Sequence, residues 1–213
     1  MGKAANSSIS LKQIHVTDNF WNKYVHLVKD VIIPYQWDIL NDKLEDVETS
    51  HCIENFKIAA GEKEGEFQGA VFQDTDVAKW LEAVGFVLNY ERDEKLEELA
   101  DETIELIGRA QQPDGYLNTY FTIKEPDGRW SNLMEGHELY TVGHMIEAAV
   151  AYYEATGKRR FLEIVSKFAD LVCQTFGPEE GKIHGYPGHQ EIELALVKPV
   201  SYTHLRAHET CAD

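Results

Sequence analysis

Three places in the sequence pair polar or ionisable residues at the start of an apolar run with helical spacing. The pairs are Asp74 with Asp76, His137 with Glu138, and His189 with Glu191. A neutral imidazole offers one hydrogen-bond donor and one acceptor, which suits a hydroxyl group. We therefore predict substrate-binding residues at four of these positions: Asp74, Asp76, His137 and His189.

The carboxylates also have a structural interpretation, which stays open at this point. Asp74 suits a helix N-cap, and Glu138 and Glu191 are favourable in the first turn, near the positive end of a helix. Histidine is not a preferred cap residue. Aromatic residues in the loops could offer faces to a sugar ring, although singly each is more often part of a core; they are Tyr116, Tyr120, Phe121, Trp130 and Tyr186.

The elements that must position these residues are predicted to be helices. Apolar residues recur at helical spacing over 77–88, 96–110, 140–152 and 161–172, and a further run begins at 190. An earlier helix opens at the N-cap Asp18 and is expected to end near Pro34. A polar stretch of about forty residues after it reads as an exposed connection. The sequence thus predicts an all-α protein.

The order of these elements repeats. A helix, a tight turn, a second helix and a long loop recur about every fifty to sixty residues, which is typical of an α/α toroid or an α-solenoid. The first helix of the second repeat, over 142–152, is apolar or small around most of its circumference, and this favours the toroid. In a toroid the inner helices start at a common rim, so His137 and His189 should lie together there. The tight turns at 90–93 and 155–158 should lie at the opposite end.

Composition excludes several classes of function. The formal charge of −17 argues against nucleic-acid binding, which needs clustered Lys and Arg. No apolar run is long enough to span a bilayer, and residues 1–10 do not resemble a signal peptide, so we expect a cytoplasmic protein that does not insert into membranes. There is no P-loop, GxGxxG or GxSxG motif, and the sequence HELYT at 137–141 lacks the second His of HExxH.

The last residues look foreign to the rest of the chain. The segment 199–213 interrupts a helical pattern without turn chemistry, and it resembles a translated sequencing adapter. We therefore predict two parts: residues 1–198 belong to a catalytic barrel, and residues 199–213 are an artefact.

Several ordered motifs together resemble glycoside hydrolase family 127, the β-L-arabinofuranosidases. They are FQDTDVAKWLEA at 72–83, QPDGYLNTY at 112–120, RWSNL at 129–133, HELYTVGHMIEA at 137–148 and YPGHQEIELA at 186–195. The opening DNFW at 18–21 and IPYQ at 33–36 also fit. One departure is Thr141, where the family is expected to show Cys.

The resemblance implies a partial (α/α)6 barrel, truncated after about half of its helices. It implies an enzyme that hydrolyses terminal β-L-arabinofuranosides with retention, through a cysteine nucleophile held by zinc together with glutamate and further cysteines. Those residues lie beyond Lys198 in the family. We therefore expect zinc in the full-length enzyme, a carbohydrate substrate, and neither a catalytic residue nor a metal ligand in this chain; neither Cys52 nor Cys173 is assigned as nucleophile.

Two alternatives remain open at the level of sequence. The chain could belong to another α/α toroid enzyme that acts on sugars, similar to an unsaturated glucuronyl hydrolase or a sugar epimerase. It could also be a non-catalytic helical repeat that binds protein. The sequence does not define the oligomeric state.

Overall fold

A computed structural model describes residues 9–198. The predicted artefact at 199–213 lies outside the described residues. Within them the α-helices are α1 (Asn19–Leu27), α2 (Ile33–Leu40), α3 (Cys52–Ala59), α4 (Asp74–Tyr90), α5 (Glu94–Ala110), α6 (Thr119–Ile123), α7 (Glu138–Thr156), α8 (Arg160–Thr175) and α9 (Glu191–Val197). No strand is present in this part of the chain, so the predicted all-α class is confirmed.

The first helix does not end at Pro34. It passes through one π-helical segment, Val28–Ile32, directly into α2, where Pro34 lies in the first turn. In the π-helical segment the backbone N–H of Ile33 bonds the carbonyl oxygen of Val28, five residues earlier, and this local change of the hydrogen-bond pattern lets the helix continue past a proline that has no N–H to donate. The prediction that the helix ends near Pro34 was therefore wrong.

The polar stretch after it is not simply an exposed connection. It contains α3, in which Cys52, Ile53 and Phe56 are buried. The stretch begins with a closed loop: the Asp42 carboxylate accepts hydrogen bonds from the backbone N–H groups of Ser50, at 2.7 Å, and His51, at 2.9 Å. This helix was missed because it has only eight residues and polar segments lie on both sides of it.

Two layers of helices carry the core. Helix α7 is buried on nearly every side, as an inner helix is, whereas α5 and α8 bury one face each and form the outer layer. Helices α4 and α9 pack on either side of α7.

The three inner helices run parallel. Lys79 near the start of α4 bonds Tyr140 near the start of α7, and Gly85 further along α4 lies against Ala151 further along α7. The start of α9 lies against Gly143 of α7. At the other end, Lys158 after α7 pairs with Glu97 near the start of α5, at 2.6 Å. The predicted common rim and the opposite position of the tight turns are therefore confirmed, and the architecture is a segment of a helical toroid.

None of the helices among residues 9–198 has the length and apolar character that a bilayer crossing requires.

The inner helices approach closely because glycine lies at their contacts. A Cβ on Gly85 would come within 2.8 Å of the Ala151 carbonyl carbon and 2.9 Å of the Tyr152 amide nitrogen, both backbone atoms that cannot move independently. We predict that Gly85→Ala in the complete protein lowers the free energy of unfolding by about 1–3 kcal/mol, because the helices must separate.

Gly108→Ala on the outer helix α5 is the matched control. Its added Cβ would meet only the far ends of the Arg160 and Ile164 side chains, and Ala is favoured over Gly in a helix by about 1 kcal/mol. Denaturant unfolding should therefore show a lower free energy of unfolding for Gly85→Ala and no decrease for Gly108→Ala. Equal midpoints for the two variants would contradict close packing at Gly85.

Candidate functional site

Three histidines surround Tyr140 at the start of α7. Its ring centroid lies 5.6 Å from that of His137, 4.4 Å from that of His144 and 4.6 Å from that of His189. His137 immediately precedes α7, and His189 lies two residues before α9. The structure therefore brings together the two histidines that the sequence assigned to a shared site.

His137 has a left-handed backbone conformation, with φ of 54°, which is uncommon for a residue other than glycine. Its Nδ1 lies 2.7 Å from the carbonyl oxygen of Glu135, and its ring contacts Phe72 at 5.2 Å between centroids. Because a carbonyl oxygen only accepts, Nδ1 must carry the proton. In a neutral imidazole Nε2 is then left as an acceptor.

His189 has the opposite arrangement. The backbone N–H of Glu191 donates to Nδ1 of His189 at 3.2 Å. The proton of a neutral imidazole is then on Nε2, which becomes a donor. The two histidines therefore offer one acceptor and one donor, a set that complements the hydroxyls of a sugar.

The inner faces of the helices continue this site with polar side chains. Lys79 of α4 donates to Tyr140 Oη at 2.9 Å, and His144 Nδ1 lies 3.5 Å from Glu191 Oε1. Burial, with Lys79 and His189 nearby, lowers the pKa of His144 to about 4, so this ring is neutral at ordinary pH. Burial raises the pKa of Glu82, and the negative charge of the Glu147 carboxylate raises it further. A helix face that served only packing would be apolar here.

Asp76 lies in the wall of an adjoining cavity of about 810 Å³, which Lys79 also lines. Gln73 donates to the Asp76 carboxylate at 3.1 Å, and partial burial raises the pKa of Asp76. Other lining residues on α2 and its following loop are Gln36, Ile39, Thr49 and Ser50. This volume is in the range of small-molecule sites.

Asp74 does not reach this space. It is only 2% exposed, and its carboxylate accepts bonds from the Thr119 backbone N–H, at 2.7 Å, and the Thr119 hydroxyl, at 2.5 Å. Its side chain therefore holds the start of α6 against the start of α4. The structure thus gives Asp74 a positioning role and does not expose its carboxylate at the common rim of the inner helices.

Glu138 is used in the same way. It is 2% exposed and accepts hydrogen bonds from the Tyr116 hydroxyl and from the Trp130 backbone N–H, the latter at 2.7 Å.

Among the loop aromatics, Tyr116 and Phe121 are buried, which confirms the core interpretation for them, whereas Tyr186 is 90% exposed.

The comparisons with known proteins agree with this arrangement. Residues 13–212 match the family described as β-L-arabinofuranosidase, GH127 catalytic domain. The chain belongs to this family. It is 45% identical to a non-reducing end β-L-arabinofuranosidase of Bifidobacterium longum subsp. longum, over 87% of this chain and 30% of that protein.

Two solved structures are similar as well. A GH127 β-L-arabinofuranosidase from Geobacillus stearothermophilus T6 superimposes with a TM-score of 0.92 at 60% identity, over 94% of this chain and 32% of that chain. A GH127 β-arabinofuranosidase superimposes with a TM-score of 0.88 at 36% identity, over 96% of this chain and 32% of that chain. This GH127 chain therefore spans about a third of the length of these relatives.

The residues described here do not form a zinc site. Among residues 9–198, no three His, Cys, Asp or Glu side chains come together as metal ligands. Cys52 is buried, its thiol donates to the Gln73 carbonyl oxygen at 3.0 Å, and burial raises its pKa well above the usual range, which does not suit a thiolate ligand. Zinc in the complete protein stays a prediction, and its ligands would have to come from elsewhere.

Sequence reasoning missed part of the cluster around Tyr140. Tyr140 was read only as an apolar helix position, and Lys79 was not considered. Tyr140, His144 and Glu147 follow one another at spacings of four and three residues, so they share a helix face. A polar stripe at helical spacing on an otherwise buried helix is the signal that would have found them.

The raised pKa of Asp74 predicts how the stability of the protein depends on pH. Burial raises its pKa to about 6 from 3.8, although the bonds from Thr119 oppose the shift. The folded state then binds a proton more tightly than the unfolded state, so Asp74 contributes stability below pH 4 that is lost as the pH rises through 6. The free energy of unfolding of Asp74→Asn in the complete protein, relative to that of the wild type, should therefore rise by up to about 3 kcal/mol between pH 4 and pH 7.

The control is Asp127→Asn, which changes an exposed carboxylate. Because this side chain is exposed, the substitution should change the free energy of unfolding by less than about 0.5 kcal/mol. Thermal or denaturant unfolding at several pH values measures both. A difference for Asp74→Asn that does not change with pH would show that the buried carboxylate does not titrate in this window.

Proposed function

We propose that this chain is the N-terminal part of the catalytic barrel of a β-L-arabinofuranosidase, and that His137 and His189 contact the terminal arabinofuranose. One observation carries the proposal: the two imidazoles come from the starts of neighbouring inner helices, contact the same tyrosine ring, and offer complementary hydrogen-bonding atoms. The names of the similar proteins support the substrate class.

The charges around the site suit an uncharged ligand. His144 is neutral at ordinary pH, and the nearby acidic groups Asp76 and Glu191 oppose the binding of an anion. The nearby cation Lys79 is already bonded to Tyr140. A sugar without carboxylate or phosphate meets hydroxyl-binding groups here and no cluster of cations. This argues against a glucuronyl substrate, and the comparisons do not favour the alternative enzymes or a protein-binding repeat.

The residues of this chain bind and orient the sugar; they do not cleave the glycosidic bond. His137 Nε2 accepts a hydrogen bond from one hydroxyl, and His189 Nε2–H donates one to an oxygen nearby, so a ring with adjacent hydroxyls is held in one orientation. The cavity beside Asp76 gives room for the sugar and the group attached to it. Hydrolysis with retention, a cysteine nucleophile and zinc belong to the complete protein in this proposal.

The proposal is tested by kinetics of the complete protein on an aryl β-L-arabinofuranoside. His137→Ala and His189→Ala should each lower kcat/KM by roughly 5- to 150-fold, which corresponds to about 1–3 kcal/mol for a lost hydrogen bond. His137→Gln should keep more activity than His137→Asn, because the Gln amide reaches the position of Nε2.

His184→Ala is the matched control, since His184 lies in the same loop as His189 and is exposed as His189 is, but its ring nitrogen lies 3.4 Å from the backbone oxygen of Glu179 in that loop. This variant should behave as the wild type. If His137→Ala and His189→Ala also behave as the wild type, the two histidines do not contact the substrate.

A further inference from the structure

Tyr140 is the side chain on which the two proposed sugar ligands meet. It is half-buried, and its ring lies edge-to-face with that of His137, at 83°, and tilted against that of His189, at 58°. His144, one turn further along α7, packs perpendicular to it. The two histidines that flank it belong to loops that approach from different repeats, so their relative position depends on what lies between them.

Tyr140 is itself tied to a third element. The Lys79 ammonium donates to Tyr140 Oη at 2.9 Å and to Thr75 Oγ1 at 3.3 Å, so Tyr140 is tied through Lys79 to α4, the helix that also carries Thr75. A tyrosine has two side-chain torsions, and packing at the ring with a bond at the hydroxyl fixes both. The ring is thereby held in place relative to α4 and α7 together.

His189 in particular needs such support. It is exposed, and the neighbouring Tyr186 and Gly188 are exposed too. The Glu191 backbone N–H donates to Nδ1 of His189, which fixes this atom but leaves the rest of the ring to be held by packing. An exposed side chain without a packing neighbour must be ordered when its ligand binds, and this weakens binding.

We infer that Tyr140, anchored by Lys79, is a positioning residue that holds His137 and His189 in the orientation in which they meet the sugar. This inference rests on the proposed function for its ligand, but the contacts that carry it do not depend on that function. It assigns to Tyr140 a role through the histidines and no contact with the substrate, and to Lys79, which also lines the cavity beside Asp76, the role of holding Tyr140.

The kinetic test uses Tyr140→Leu in the complete protein, in the wild-type background and in the His137→Ala/His189→Ala background. Tyr140→Leu should raise KM roughly tenfold or more in the wild-type background, with a smaller change in kcat, and should have no further effect once both histidines are absent. An equal rise in both backgrounds would overturn the inference, because Tyr140 would then act on the substrate or the fold directly.

A second pair of variants tests the anchor. Tyr140→Phe and Lys79→Met remove the same hydrogen bond from its two ends, so each should raise KM about threefold and the double variant no more than either alone. Additive effects would overturn the anchoring role. Tyr90→Leu, at the far end of α4, controls for the loss of a half-buried tyrosine and should leave KM unchanged.

Crystal structures of the Tyr140→Leu protein give a readout without activity. The His189 ring is expected to leave the position seen here, and an unchanged pair of imidazoles would overturn the inference. If the rings move while the histidine variants keep wild-type kinetics, positioning holds and the proposed sugar contact fails. If the rings stay in place while the histidine variants lose activity, the sugar contact holds and positioning fails.

Discussion

The close parallel packing of α4, α7 and α9 is the constraint on which the site depends. Gly85 and Gly143 allow backbone to approach backbone at the two contacts of α7. Because the helices are parallel, their starts lie at one end, and side chains from three different repeats reach the same space. With a wider separation, Lys79 could not bond Tyr140, and His189 could not reach its ring.

The same end of the barrel is held by two buried carboxylates. Asp74 fastens the start of α6 through Thr119, and Glu138 fastens the preceding loops through Tyr116 and Trp130. A buried carboxylate is costly unless its oxygens accept hydrogen bonds, and both of these do. The polar residues at the helix starts therefore divide into two groups: some hold the loops around the site, and others face the ligand.

The sequence predicts the helices better than it predicts their contacts. Helices α4, α5, α7 and α8 are long and periodic, so their pattern identified them. Helix α3 has only eight residues, too few for a clear period, and the helix through Pro34 continues by a π-helical segment. His137 and His189 could be assigned because position at a helix start is a local property. The roles of Tyr140, Lys79 and Asp74 depend on which side chain lies across from them, and one sequence does not state that.

The central claim is that His137 and His189 bind one sugar from the common end of the inner helices. A crystal structure of the complete protein with L-arabinose bound tests it most directly. The account predicts hydroxyl oxygens of a single arabinofuranose within hydrogen-bonding distance, about 2.7–3.2 Å, of Nε2 of both histidines. A sugar bound elsewhere in the barrel, or one that contacts neither imidazole, would contradict it.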